Sequence, residues 1–198
     1  MPGSTAVALG LKVRTGRAIV VVLRGPADAP VVVVKHRIDV ATTFAEGAVY
    51  HTAQGLPLAQ ARERIAASEQ SFTRRATDAL AAVLRPLQVQ IVAAALVAPA
   101  PKPAPPMPQI LKAHPLVHAA EIELYRRVFG AAAAQFGTTP ARIPEDQLGA
   151  CAASALGLTP TRLDARFTAL GRSAGRPWAA DHKHAALAAW IALAQSGA

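Results

Sequence analysis

The stretch Val7-Ala-Leu-Gly-Leu-Lys-Val13, Arg14-Thr-Gly16, Arg17-Ala-Ile-Val-Val-Val-Leu23 decides the fold. Two runs rich in apolar and β-branched residues flank a three-residue break. They read as the arms of a tight hairpin, with Gly16 supplying the positive φ. Beyond Gly25-Pro26 and Pro30, Val31–Val40 reads as a third strand, and its all-valine start Val31–Val34 predicts burial on both faces. His51 to Pro57 carries no element signal and reads as a loop. Leu58–Arg85 is a long helix whose apolar face runs through Ile65, Phe72, Leu80, Val83 and Leu84, until Pro86 stops it. Val89–Val97 is a buried strand of parallel type.

Pro99 through Pro108 reads as a polyproline-like connector or an ordered loop. Pro115 suits the first turn of a helix running to Phe136, closed by Gly137. Ala141–Ile143 reads as a short edge strand. Pro144 opens a further helix with Glu145 and Asp146 in its positive first turn. Thr159-Pro160 caps another helix, and Trp178 to Gln195 forms the last, with Trp178 and Trp190 on nearly one face. The order βββ-α-β-α-β-ααα, an antiparallel meander followed by alternating helices and strands, is the ribonuclease H-like order. It predicts an α/β fold with a mixed five-stranded sheet and C-terminal helices, the first and fourth strands side by side and parallel, against the alternatives of a two-domain split or another α/β sandwich.

The 198 residues are 52% hydrophobic, 47 of them alanine, and 17% charged, which suits one core and a single domain over 1–198. Cys151, the one cysteine, excludes a disulfide framework and a cysteine-based zinc site. Apolar runs such as Ile91 to Ala98 are far short of the roughly 20 residues that span a bilayer. With no leader pattern either, a cytoplasmic protein without membrane partners is expected. Lys and Arg outnumber Asp and Glu by 21 to 12, and a net charge of +9 favours polyanions, DNA or RNA above all.

Val7-Ala-Leu-Gly10 with the Thr15-Gly16 turn resembles the first hairpin of RuvC-type Holliday-junction resolvases and their YqgF-like relatives. Thr139-Pro-Ala-Arg-Ile-Pro-Glu-Asp-Gln-Leu148 resembles their fifth strand and the turn after it. Trp178-Ala-Ala-Asp181-His-Lys-His184-Ala-Ala-Leu187 resembles their last helix, which carries a pair of acidic or His residues three apart. His118-Ala-Ala-Glu121 also resembles a helix start in a group of bacterial proteins with no assigned activity. The resolvase resemblance implies two-metal phosphodiester hydrolysis by clustered carboxylates around Mg²⁺. It implies an Asp after the glycine of the first strand, where Lys12 stands, and a Glu at the end of the fourth. No acidic residue occurs between Ala79 and Ala120. The expectation is a fold retained without its nuclease, and no cofactor, a divalent metal entering only with residual activity.

The remaining candidates are Asp181 and His184, at i, i+3 on the last helix, and His114, His118 and Glu121, at i, i+4, i+7 of the helix opened by Pro115. The first pair reads as a remnant metal or phosphate site, or as a helix-start Asp beside a solvated His. The second set suits Zn²⁺ or a half-buried polar stripe, and its helix is expected to abut Asp181. Lys12, Arg14, Arg17 and Arg24, Arg74-Arg75, and Arg126-Arg127 are the basic clusters, suited to phosphate contact or to solvated faces. Three functions follow as expectations. The first is nucleic-acid binding through phosphates without cleavage. The second is a protein–protein scaffold or homodimer. The third is a metal-dependent hydrolase using His118, Glu121, Asp181 and His184.

Overall fold

The computed structural model describes residues 5–197, so residues 1–4 and 198 of the expected 1–198 domain lie outside the described residues. The strands are β1 (Thr5–Arg14), β2 (Arg17–Arg24), β3 (Val31–Asp39), β4 (Val89–Val97) and β5 (Ala141–Ile143). Between β3 and β4 lie α1 (Phe44–Gly47), α2 (Val49–Ala53) and α3 (Leu58–Leu84). Between β4 and β5 lie α4 (Met107–Lys112) and α5 (His114–Ala134). A 3-10 turn, Glu145–Gln147, then leads into α6 (Leu148–Leu156), α7 (Pro160–Ala174) and α8 (Ala180–Ser196).

The sheet order is β3-β2-β1-β4-β5, with β1 antiparallel to β2 and parallel to β4. This is the ribonuclease H-like arrangement that the hairpin and the apolar fourth strand predict. Gly16 turns the hairpin at φ 74°, a conformation that a side chain would strain.

Strand alternation sorts the core into two layers. Leu9, Leu11 and Val13 of β1, with Val20 and Val22 of β2, meet α3 and α5 on one face. Ala8, Ile19, Val21, Leu23, Ala95 and Val97 meet α6, α7 and α8 on the other. α8 lies very close to β1, because Gly10 has no side chain and Ala185, Ala186, Ala188 and Ala189 of α8 are fully buried. Trp190 fills the space beside this contact and donates its indole N–H to the Ala27 carbonyl at 2.7 Å.

Four expectations need correction. Val31–Val34 is not buried on both faces: β3 is an edge strand, Val31 is 52% exposed and Val32–Val34 are half-buried. The loop expected from His51 begins inside a helix, since α2 runs through Ala53. Trp178 precedes α8 instead of sharing it, and packs against Gly171 and Phe167 of α7. Finally, α5 does not abut Asp181, because α5 and α8 cover opposite faces of the sheet. Among the described residues no helix is long and apolar enough to cross a membrane.

Candidate functional site

The carboxyl ends of β1 and β4 lie side by side, with Lys12 opposite Val97. Ligands of open α/β sheets gather at such strand ends, and two polar clusters flank this one, one on each face.

On the α8 face, Lys12 continues the row of Ala8 and Gly10 and is 4% exposed. Its ammonium is ion-paired with Glu145, the first residue of the 3-10 turn after β5. The other Glu145 oxygen lies 3.2 Å from His184 Nδ1, within ion-pair range though not aligned for a hydrogen bond. One strand turn on, Arg14 grips Asp181 with two donors, at 2.8 and 3.3 Å. Lys12 holds the Glu145 carboxyl below its ordinary range, and Arg14 does the same for Asp181. The Asp181 contact raises Arg14 in turn.

These residues do not fit a pair of Mg²⁺ ions. Two-metal sites need several free carboxylate oxygens around one point. Here Asp181 and Glu145 already face resident cations, and β4 ends in Leu96-Val97, followed by Ala98-Pro99, with no carboxylate.

A groove of about 620 Å³ is lined by Arg17, Lys35, His36, Arg37, His182 and the Ala179-Ala180-Asp181 start of α8. The first turn of this helix has no side-chain cap, so its backbone N–H groups face outward. Lys35 donates to the carbonyls of Gly175 and Pro177, and Arg37 pairs with Asp39. Arg17 is exposed, and no acid among the described residues pairs with it. His182 is pulled below its ordinary value, first by burial and then by Lys35.

On the α5 face, Glu121 is 4% exposed. It accepts from the Tyr50 backbone N–H at 3.1 Å and contacts His51 Nδ1 at 2.9 Å. His114 and His118 face each other with Nε2 atoms 2.9 Å apart, and the His51 ring centre lies 4.7 Å from that of His118.

The structure thus brings Asp181 and His184 together, and His114, His118 and Glu121 together, but on separate faces. The four candidates His118, Glu121, Asp181 and His184 form no single cluster. Among the basic candidates, Lys12 is buried and Arg14 is paired, while Arg17 is open. Arg126 pairs with Glu123, and Arg127 pairs with Glu69 through two bonds of 2.7 and 2.8 Å. Glu145 and His51 are the site residues that sequence reasoning missed. In the sequence Glu145 stands out only as a helix-start acid, and His51 sits in a helix too short to show periodicity.

No protein-family model and no curated protein matches the sequence. Solved structures do match in shape. RuvC of T. thermophilus in complex with a Holliday junction substrate superposes with a TM-score of 0.54 at 12% identity, over 96% of this chain and 92% of that one. A second Thermus thermophilus RuvC structure gives 0.53 at 12% identity, over 93% and 92%. At that identity the likeness concerns the fold: the chain has the mixed five-stranded, helix-flanked ribonuclease H-like architecture of RuvC over nearly its whole length.

Proposed function

We propose that this chain binds the phosphate backbone of nucleic acid on the Arg17–Lys35–Arg37 groove and does not cleave it. The observation that carries the reading is the Lys12–Glu145 ion pair, whose buried ammonium sets a cation where the RuvC resemblance implies a metal-binding Asp. A cation there opposes divalent metal, which supports the absence of cleavage. The groove beside it supports the same reading. Arg17, unpaired among the described residues, lies there beside Lys35, which is held by two backbone carbonyls, and Arg37, which is held by Asp39. The net charge of +9 and the nucleic-acid complex of the similar RuvC point the same way. Backbone contacts carry no base information, so binding is weakly selective for sequence.

Fluorescence anisotropy with labelled duplexes and four-way junctions at several salt concentrations tests this. About four to six phosphate contacts give a log–log salt slope of about −4 to −5. Replacing Arg17 and Lys35 by Ala weakens all sequences alike and flattens the slope by about 2. No binding at low salt, together with a concentration-independent dimer in sedimentation, would overturn the proposal in favour of a protein–protein scaffold.

A further inference from the structure

His51, His114 and His118 come from α2 and from the first two turns of α5, and one ring nitrogen of each lies within 4.8 Å of the others. We propose that these three imidazoles form a binding site for a late first-row transition-metal ion, Zn²⁺ above all, with Glu121 orienting His51 from behind. The imidazoles lie on the opposite face of the sheet from Lys12 and Asp181.

Donor chemistry selects the metal. Imidazole nitrogen suits Zn²⁺, Co²⁺, Ni²⁺ and Cu²⁺, whereas Mg²⁺ prefers oxygen. Zinc-bound nitrogens sit about 2.0–2.1 Å from the ion, so the three rings need shift only modestly to enclose one. The contact of 2.9 Å between the His114 and His118 Nε2 atoms requires one shared proton. An ion bound to both Nε2 atoms replaces that hydrogen bond, the proton of the donor ring passing by way of water to its own Nδ1.

Glu121 supplies the second argument. It is buried, and one oxygen is held by the Tyr50 N–H while the other accepts from His51 Nδ1. That contact fixes the tautomer with the proton on Nδ1 and leaves Nε2 free as a ligand. A carboxylate behind a metal-bound imidazole is the usual second partner of such sites.

The frame is also preformed. The Tyr125 hydroxyl donates to the Gly47 carbonyl at 2.7 Å, and Gln54 donates to the Leu111 carbonyl at 2.8 Å. These bonds tie the α1–α2 segment to α4 and α5, so His51 is held against the α5 pair before any ion arrives. Three protein ligands leave a fourth position for water or an exchangeable ligand. His51 and His118 line a cavity of about 410 Å³ through which water or an exchangeable ligand can reach that position.

The full chain, stripped with a chelator, is titrated with Co²⁺ by visible absorption and with Zn²⁺ by calorimetry. One equivalent of Co²⁺ should develop the intense bands of a four-coordinate ion, and Zn²⁺ should displace it. His114→Ala and His118→Ala, both at exposed positions, should lose stoichiometric binding while keeping the circular dichroism of the parent. Glu121→Gln should weaken binding by about 10–100-fold. Cys151→Ala, on α6, should leave it unchanged. Binding below one equivalent, binding that survives His114→Ala and His118→Ala, or binding lost in Cys151→Ala would overturn the proposal.

Discussion

Lys12 and Glu145, 133 positions apart, form an ion pair whose ammonium end is 4% exposed and whose carboxylate end is 49% exposed. The asymmetry makes the two partners unequal. Glu145→Ala strands a cation beneath α8 and should cost about 3 kcal/mol. Lys12→Met leaves a carboxylate that water still reaches and a linear apolar chain in the same space, so it should cost less than about 1 kcal/mol. Urea midpoints at constant slope measure both. Equal losses would show that the pair is not buried on the Lys12 side.

The closeness of α8 to β1 gives a sharper expectation. A Cβ on Gly10 would stand 1.9 Å from the Ala185 carbonyl oxygen and 2.6 Å from the Ala189 nitrogen, both backbone atoms that cannot swing aside. Gly10→Ala must push α8 off the sheet and should cost about 3 kcal/mol or more. Gly130, inside α5, has nothing within 4 Å of the added methyl, so Gly130→Ala should stabilise by about 0.5–1 kcal/mol. Thermal melts of the two variants should move in opposite directions.

Much of this architecture is local enough to read from the chain. β4 at Val89–Val97 and β5 at Ala141–Ile143 match their sequence-based bounds, because an apolar run between Pro86 and Pro99 and a short run before Pro144 leave little freedom. The Gly16 turn follows equally from turn chemistry. What escaped depends on partners far along the chain. Whether the valines of β3 are buried depends on what lies beyond them, and β3 is the sheet edge. Asp181 and His184 are legible as a helix pair, but their partners Arg14 and Glu145 are supplied by another strand and another turn. His51 gains its meaning from Glu121, 70 positions later.

Strong acid should loosen the α1 region. Glu46 is held at about 2 by the Thr42 backbone N–H, then by Arg75 and the Thr42 hydroxyl. Its folded pKa lies below the ordinary carboxylate value, so its stabilisation is complete above about pH 4.5 and is lost as pH falls toward 2. Glu46 is 28% exposed, and with solvent screening the loss amounts to about 1–2 kcal/mol. Urea midpoints from pH 6 down to about 2 should fall less steeply in Glu46→Gln than in the parent. Identical slopes would show that Glu46 is not the group responsible.

Cleavage is not expected of the strand-end cluster. Phosphodiester hydrolysis by a two-metal centre needs oxygen ligands free to hold both ions. Asp181 gives both oxygens to Arg14, and Glu145 faces Lys12 and His184. A Mg²⁺ or Mn²⁺ ion entering there must displace two resident cations, and the first strand offers an ammonium instead of a carboxylate. The purified chain should therefore leave four-way junctions and duplexes intact at millimolar Mg²⁺ or Mn²⁺, over incubations long enough for slow turnover. Restoring one carboxylate by Lys12→Asp should not create cleavage either, because the end of β4 still lacks an acid. That substitution should instead set a second carboxylate beside Glu145 and lower stability at neutral pH through like-charge repulsion. Gel assays of both proteins, with Asp181→Asn as the control, decide the point. Metal-dependent cutting that disappears in Asp181→Asn would mean that Arg14 releases Asp181 when substrate binds.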